Sequence, residues 1–527
     1  MKNQLFYTFL VLILSISWNS EMIAQLPELT KRDILQPKLQ MVKSNKAKIN
    51  EWTTKIMPKA IKEHRDLVSI PCDAYADDMQ KNVDWLKKAF TKRRFAVKEL
   101  ATSTVPIVFA ERIVDSRLPT VLFYFHFDGQ PVDKRKWNQE DPFTPVIKQK
   151  NTEGEWETVS YDNVENWNKE WRVFARAAAD DKAPIIMFLQ ALDIMKEQKI
   201  SQAFNIKILL DGEEEKSSSG LKETIEKYKG DYAADHMIIM DGPAHPTNRP
   251  TLMFGCRGIA SATLIVYGPR VPQHSGHYGN YAPNPAFRAS NLLASMKDDE
   301  GRVKIKGFYD GIVFDAKTKK ILSDVPDDEM YIRTQIGIAQ PDNVGNSYQE
   351  ALQYPSLNIK GMSCAWIGKQ TRTIVPDKAI VQLGIRLVKE TDGVEMLDLL
   401  KEHIENQGYY VIDREPTEEE RLKYPKIATY IARPSVNAFR TELDSPTGEW
   451  LTRAIQNVYS KEEGVIRIRT MGGTIPVTPI IQAINAPAVI VPMVNMDNNQ
   501  HSPNENIRIG NLYNGIKTCF GILTEGI

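Results

Sequence analysis

Several apolar segments of this chain run straight into a histidine or a carboxylate, and that coincidence limits the fold more than any other feature. Residues 120–125 are apolar and β-prone, and they lead into His126 and Asp128. Residues 204–210 end at Asp211, with Glu213, Glu214 and Glu215 just beyond. Residues 237–240 end at Asp241, and the apolar stretch 488–494 precedes a loop holding His501. Buried parallel strands read as continuous apolar runs. In open parallel sheets, functional groups gather beyond the carboxyl ends of the strands. Asp180 and Asp181 stand just before residues 183–198, where Ile185, Phe188, Leu189, Leu192 and Met195 recur at helical spacing. Strand and helix therefore alternate, and the expected class is α/β, with a mainly parallel central sheet covered by helices.

Taken singly, each of these residues has an ordinary structural explanation. A lone histidine is commonly a core or surface residue. Acids before a helix favour its dipole, a glutamate run is commonly a solvated face, and an aspartate before glycine forms turns. Their recurrence at strand ends, along one rim, is what points to a site. His64, His236, His245, His277 and His403 lack that setting and read as structural.

A chain of 527 residues is too long for one ordinary core. Helices are expected over 39–68 and 78–90. From about residue 253 the texture changes, with a strand over 261–267, a helix over 284–296 and a strand over 379–388. The α/β pattern returns after 434 and closes with a helix over 509–523, although Pro492 weakens 488–494 as a strand. The expected organisation is a catalytic domain split between 25–252 and 435–527, with 253–434 inserted as an α+β lid and dimerisation domain.

Lys2, the apolar run 5–18 and Ala24 before Gln25 read as a signal peptide over 1–24. The run is shorter than the ~20 residues of a spanning helix, and an uncleaved anchor is the alternative. The expectation is an exported protein, periplasmic or secreted, with no membrane attachment after cleavage. With 67 basic and 67 acidic residues the net charge is zero, which gives no electrostatic case for nucleic acid. The expected partners are a small molecule and a second copy of the chain. Cys72, Cys256, Cys364 and Cys519 are widely spaced, with no C-x-x-C pair, so buried free thiols are expected rather than a zinc-thiolate site.

Longer segments carry a family likeness. They are FYFHFDGQPV from Phe123, ARAAADDKAP from Ala175, LLDGEEEKSSSGL from Leu209 and IIMDGP from Ile238. FGCRGIASATLIVYG from Phe254, HSGHYGNYAPNPA from His274, TIVPDKAIVQLGIRLV from Thr373, GGTIPVT from Gly472 and the Gln500-His501-Ser502 loop follow. In this order the sequence resembles the M20 metallopeptidases, which include carnosine-type dipeptidases, aminoacylases and succinyl-diaminopimelate desuccinylases. It is most similar to the dipeptidase branch.

The resemblance implies that His126 and Asp241 bind one metal ion, that Glu215 and His501 bind another, and that Asp180 bridges them. It implies that Asp128 orients the His126 imidazole, that Glu214 is the general base, and that the Asp180–Asp181 peptide is cis. His274 would supply an oxyanion donor, reaching the partner subunit's site as in dimeric relatives, so a homodimer is implied. Thr373, Arg386, Gly473 and Thr474 match substrate-contacting positions, and an arginine there suits a substrate carboxylate. Nitrogen and oxygen ligands without thiolate suit zinc, and manganese or cobalt accepts the same types. Two such ions ~3.5–4 Å apart can hold and acidify one water.

The expected reaction is amide hydrolysis in dipeptides or short peptides. The alternatives are deacylation of N-acyl amino acids and an inactive binding protein on the same fold. Three departures stand out. Phe125 replaces a usual glycine, Ala175 and Ala183 stand where glycines are common, and a dipeptidase histidine falls near Tyr430, which argues against carnosine-like specificity. Residues 151–167, with Trp156 and Trp167, are longer than in typical relatives and read equally as a lip over the site or a surface loop.

Overall fold

The strand Thr120–His126 is buried on both faces, with Val121 through Phe125 all 0% exposed, as a central parallel strand requires. In a computed structural model that describes residues 45–527, it lies between Asn205–Asp211 and His236–Ile239 and is parallel to both. The leader expected over 1–24, and the helix expected to start at 39, fall wholly or partly outside the described residues. The eight-stranded sheet runs Ala96–Leu100, Ile107–Arg112, Asn205–Asp211, Thr120–His126, His236–Ile239, Ala488–Ile490, Thr251–Met253, Ile466–Ile468. The expected strand over 488–494 stops at Ile490: Val491 N donates once more to Ile239 O, and Pro492 has no N–H to continue the ladder.

Register places the acids and histidines on one rim. His126 pairs opposite Asp211, and Tyr124 pairs opposite Ile239, so Asp241 falls level with His126. The helices Lys182–Glu197, Ile509–Thr524 and Lys46–Val68 pack together. Phe125 fills the core against Phe188 of the first of these, with ring centroids 5.5 Å apart, and Phe123 lies 4.9 Å from the same ring. Phe188 thus joins the His126 strand to the helix that begins just after Asp181. Truncating it to alanine is expected to cost about 3–5 kcal/mol, measured by urea unfolding. A loss under about 1 kcal/mol would show that this packing contributes little.

A second sheet, of five strands, draws only on residues 258–436. Its order is Ser356–Ser363, Lys378–Leu387, Gly258–Tyr267, Ile427–Val436, Tyr410–Ile412, with every pairing antiparallel except the last. The helices Pro285–Ala294 and Gly393–Asn406 cover it. Both start where the sequence supplies a cap: Asn284 accepts from Ala286 N, and Asp392 accepts from Val394 N and Glu395 N. Tyr430 is 6% exposed in this core, and its hydroxyl donates to Leu397 O, 2.9 Å away.

The long 151–167 segment carries a strand and a helical turn of its own. Trp156–Val159 is the outer strand of a four-stranded sheet ordered Asn506–Arg508, Arg172–Phe174, Val146–Lys150, Trp156–Val159. Trp156 packs edge-on to Phe174 at 5.2 Å, and Trp167 lies 5.5 Å from Tyr513. The strands Asn506–Arg508 and Arg172–Phe174, paired at one side of this sheet, lead out of the His501 loop and into the Asp180 loop. All four cysteines are free, as expected, although Cys364 is only half-buried. Among the described residues no helix is long and apolar enough to cross a membrane.

Candidate metal centre

Three sheet strands and two loops converge on Asp180. Its Oδ1 lies 3.0 Å from His126 Nε2, and its Oδ2 lies 3.1 Å from His501 Nε2. One carboxylate thus faces two imidazoles with different oxygens. Asp241 Oδ1 is 3.9 Å from His126 Nε2 on one side, and Glu215 Oε2 is 3.2 Å from His501 Nε2 on the other. Two ligand-capable groups result, His126–Asp180–Asp241 and Asp180–Glu215–His501, each with its ligand atoms within 4.8 Å of one another. The peptide between Asp180 and Asp181 is cis.

Supporting contacts fix these side chains. Asp128 Oδ1 is 3.3 Å from His126 Nδ1, so the other ring nitrogen faces Asp180. The same carboxylate accepts from Glu214 N at 3.1 Å and Glu215 N at 3.0 Å, tying the glutamate turn to the His126 strand. Glu213 points away: its carboxylate accepts from Tyr75, Thr104 and Ser219 hydroxyls and from Gly220 N. The adjacent glutamates are therefore not a solvated run.

The charge balance calls for cations. Asp128, Asp180, Asp181, Glu214, Glu215 and Asp241 crowd one site, and among the described residues no lysine or arginine forms an ion pair with any of them. Burial opposes the charge on Asp180, but its two histidine contacts outweigh that and hold its carboxyl below the ordinary range. Burial, then the charge of Asp180, pushes Glu215 up to about 7. Burial, offset by His126 and reinforced by Asp180, pushes Asp241 up to about 6. Burial and the charges of Asp241, Asp180 and Glu215 lift Glu214 well above the ordinary value, against the pull of His126. Nitrogen and carboxylate donors with excess negative charge and no thiolate fit divalent cations.

A pH dependence follows for the chelated protein. Between about pH 4.5 and 7 the folded chain retains protons on Glu215 and Asp241 that the unfolded chain has released, so stability falls as pH rises. His501, raised chiefly by its hydrogen bond to Asp180, acts in the same direction, because stability from a raised histidine is lost as pH climbs through its folded value. Asp180, held low, stays ionised throughout this window. Thermal melts with chelator are expected to shift downward from pH 5 to 7.5, while the gap to the metal-loaded protein widens. A gap independent of pH would contradict this.

Among the described residues no hydrogen bond or ion pair joins the remaining expected site residues to this cluster. Arg386 Nη1 donates to Thr474 Oγ1 at 2.6 Å, and Thr474 donates to Arg257 O at 2.6 Å. Arg257 N in turn donates to Gly473 O at 3.1 Å, so Arg386, Gly473 and Thr474 form one unit. His274 and Thr373 are both exposed and lie side by side at a small ribbon, Gln273–His274 paired with Ile374–Val375, where Ser275 N donates to Thr373 O at 3.1 Å. No hydrogen bond links either to the acid–histidine cluster among the described residues. Sequence reasoning missed Gln130, whose Nε2 donates to Glu215 Oε2 at 2.7 Å; it continues the alternation of His126 and Asp128 on the same strand exit. It also missed Glu505, in the His501 loop.

Comparison with known proteins places the chain in a family. The family model described as Peptidase family M20/M25/M40 matches residues 122–525. The Cys-Gly metallodipeptidase of Candida albicans is 25% identical over 435 residues, covering 79% of this chain and 81% of that protein. The Beta-Ala-His dipeptidase of Rattus norvegicus is 26% identical over 428 residues, covering 80% of each. Among solved structures, an M20 family metallo-carboxypeptidase from Sulfolobus solfataricus superposes with a TM-score of 0.71 at 25% identity, covering 88% of this chain and 98% of that one. Human carnosine dipeptidase 1 has the same fold, with a TM-score of 0.65 at 21% identity, covering 91% and 99%.

The comparisons overturn the expectation of export to a periplasmic or secreted location. Neither the relatives that this chain resembles nor the described residues show export. The apolar start that suggested a leader lies outside the described residues.

Proposed function

Because this chain belongs to peptidase family M20/M25/M40 and is a metal-dependent hydrolase, we propose that it cleaves the amide bond of dipeptides or short peptides at two divalent cations. His126 and Asp241 hold one ion, His501 and Glu215 the other, and Asp180 holds both. The observation that carries this reading is Asp180 itself, whose two oxygens face two histidines. Zinc suits the donor set. When bound, such ions supply Lewis acidity toward a carbonyl and lower the pKa of water.

The chain's own groups then have distinct tasks. Glu214, half-buried beside the cluster, takes a proton from the attacking water and returns it to the leaving amine. Asp128 keeps the His126 ring in one tautomer. Arg386, already aligned by Thr474, clamps the free carboxylate of the substrate, and Gly473 beside it leaves the backbone open to a ligand. His274 and Thr373, exposed on their ribbon, serve the site of a second copy, with His274 as the oxyanion donor.

This reading includes a homodimer and a division into a catalytic domain, 25–252 with 435–527, and an inserted lid and dimerisation domain, 253–434. The confinement of the five-stranded sheet to residues 258–436 supports the division. The names of the relatives, Cys-Gly metallodipeptidase and Beta-Ala-His dipeptidase, favour peptides over N-acyl amino acids.

Chelation followed by add-back of zinc, manganese or cobalt, assayed on a panel of dipeptides and N-acetyl amino acids, tests the proposal. Metal-restored dipeptide hydrolysis supports it. Activity confined to N-acetyl amino acids would make the enzyme a deacylase, and metal-independent inactivity would make it a binding protein.

A further inference from the structure

Glu505 is 1% exposed and lies four residues beyond His501, yet its side chain is spent wholly on the loop that carries Asp180. Its Oε1 accepts from Ala179 N at 3.0 Å and Asp180 N at 3.1 Å. Its Oε2 accepts from Ala177 N at 3.0 Å and Arg176 Nη1 at 2.7 Å. Its carbonyl oxygen accepts from Ala175 N at 3.1 Å. Both loops need such a tether, because neither has a regular ladder at this point. Ala177 has φ +57°, and Asn499, His501 and Asn504 have φ of +56°, +60° and +62°, a region that residues with a side chain seldom occupy.

The pattern of donors specifies a carboxylate. Three backbone N–H groups and one guanidinium point at two oxygens, and each is a donor. A carboxylate accepts all of them, whereas an amide presents an NH2 group to one pair and leaves those donors facing another donor. The small sheet on the far side fixes the remaining freedom, since Asn506 pairs with Phe174 just outside the two loops.

We infer that Glu505 is a positioning residue for the metal pair: it locks the Asp180 loop to the His501 loop and so sets the separation between the shared carboxylate and the second histidine. This rests on Asp180 and His501 being ligands, as proposed above. Among the described residues no hydrogen bond joins the Glu505 side chain to either imidazole.

The test compares full-length wild type with Glu505→Gln, Glu505→Asp and Asp180→Asn. Zinc affinity is read by competition with a chromogenic chelator, folding by circular dichroism and thermal melting, and turnover as kcat and KM separately. Glu505→Gln is expected to weaken zinc binding about 10–100-fold in protein that remains folded, with kcat reduced at limiting zinc and KM unchanged. A merely structural role would lower the melting temperature and leave the affinity of the folded protein alone.

Should the glutamine variant not fold, Glu505→Asp keeps the charge but is one methylene too short to span both pairs of donors, and it is expected to weaken zinc binding as well. Zinc affinity within twofold of wild type in a folded variant overturns the inference. If Asp180→Asn abolishes zinc binding while the Glu505 variants do not alter it, only this inference fails. If Asp180→Asn leaves binding intact, the ligand assignment beneath it fails too.

Discussion

Replacing Glu214 by glutamine is expected to lower kcat by about 10²–10⁴-fold while both cations and the substrate remain bound. The substitution is nearly isosteric, and the backbone at this position is fixed independently of the side chain, by Glu214 N donating to Asp128 Oδ1. Glu215, the proposed ligand, hangs from the other oxygen of the same aspartate, so the turn that carries it keeps its place. Only the capacity to accept a proton is lost. Burial and the neighbouring carboxylates raise the proton affinity of Glu214, which suits a group that must hold a proton between attack and departure of the amine. Steady-state kinetics with metal analysis on the same preparation checks this. A variant with wild-type kcat would remove Glu214 from the mechanism, and a variant that lost its metal would make it a ligand instead.

Asp180→Asn is expected to remove both ions at once and to take activity down with them. The residue belongs to both ligand groups, and its two oxygens are differently engaged. An amide offers one neutral oxygen and turns an NH2 group toward the other histidine, so neither group survives intact. Asp241 belongs to one group only, and Asp241→Asn is expected to remove one ion. Metal content after dialysis therefore separates the two variants: near zero for the first and about half of wild type for the second. Equal losses would show that Asp180 is not shared. Fold is not the confounding factor here, because the Asp180 loop is held through its backbone by Glu505.

The features legible in the sequence were those written in local pattern. A continuous apolar run ending on His126, another ending at Asp211 before the glutamates, and a third ending at Asp241 encode both parallel strands and their functional ends. Register then brings those ends level without further information. Phe125, unusual at its position, was readable as a departure but not as what it is, a core residue meeting Phe188.

Contacts across long stretches of chain were not legible. Nothing near Glu505 signals that its carboxylate serves backbone groups more than 320 residues away. The role of the 151–167 excursion was equally hidden, because a hairpin on a sheet edge and a surface lip share the same polar composition. The apolar start of the first two dozen residues was read as an address, and the comparisons do not bear out export. The proposed substrate contacts Arg386, Gly473 and Thr474 were named from family likeness, but Arg257, which knits them together, was not.

Anomalous scattering from a crystal of the zinc-loaded protein, recorded on both sides of the zinc edge, addresses the shared-carboxylate centre most directly. Two peaks are expected about 3.5–4 Å apart, one beside His126 Nε2 and Asp241, the other beside His501 Nε2 and Glu215, with an Asp180 oxygen at each. A single peak, or peaks that leave Asp180 without a contact to both, would contradict it.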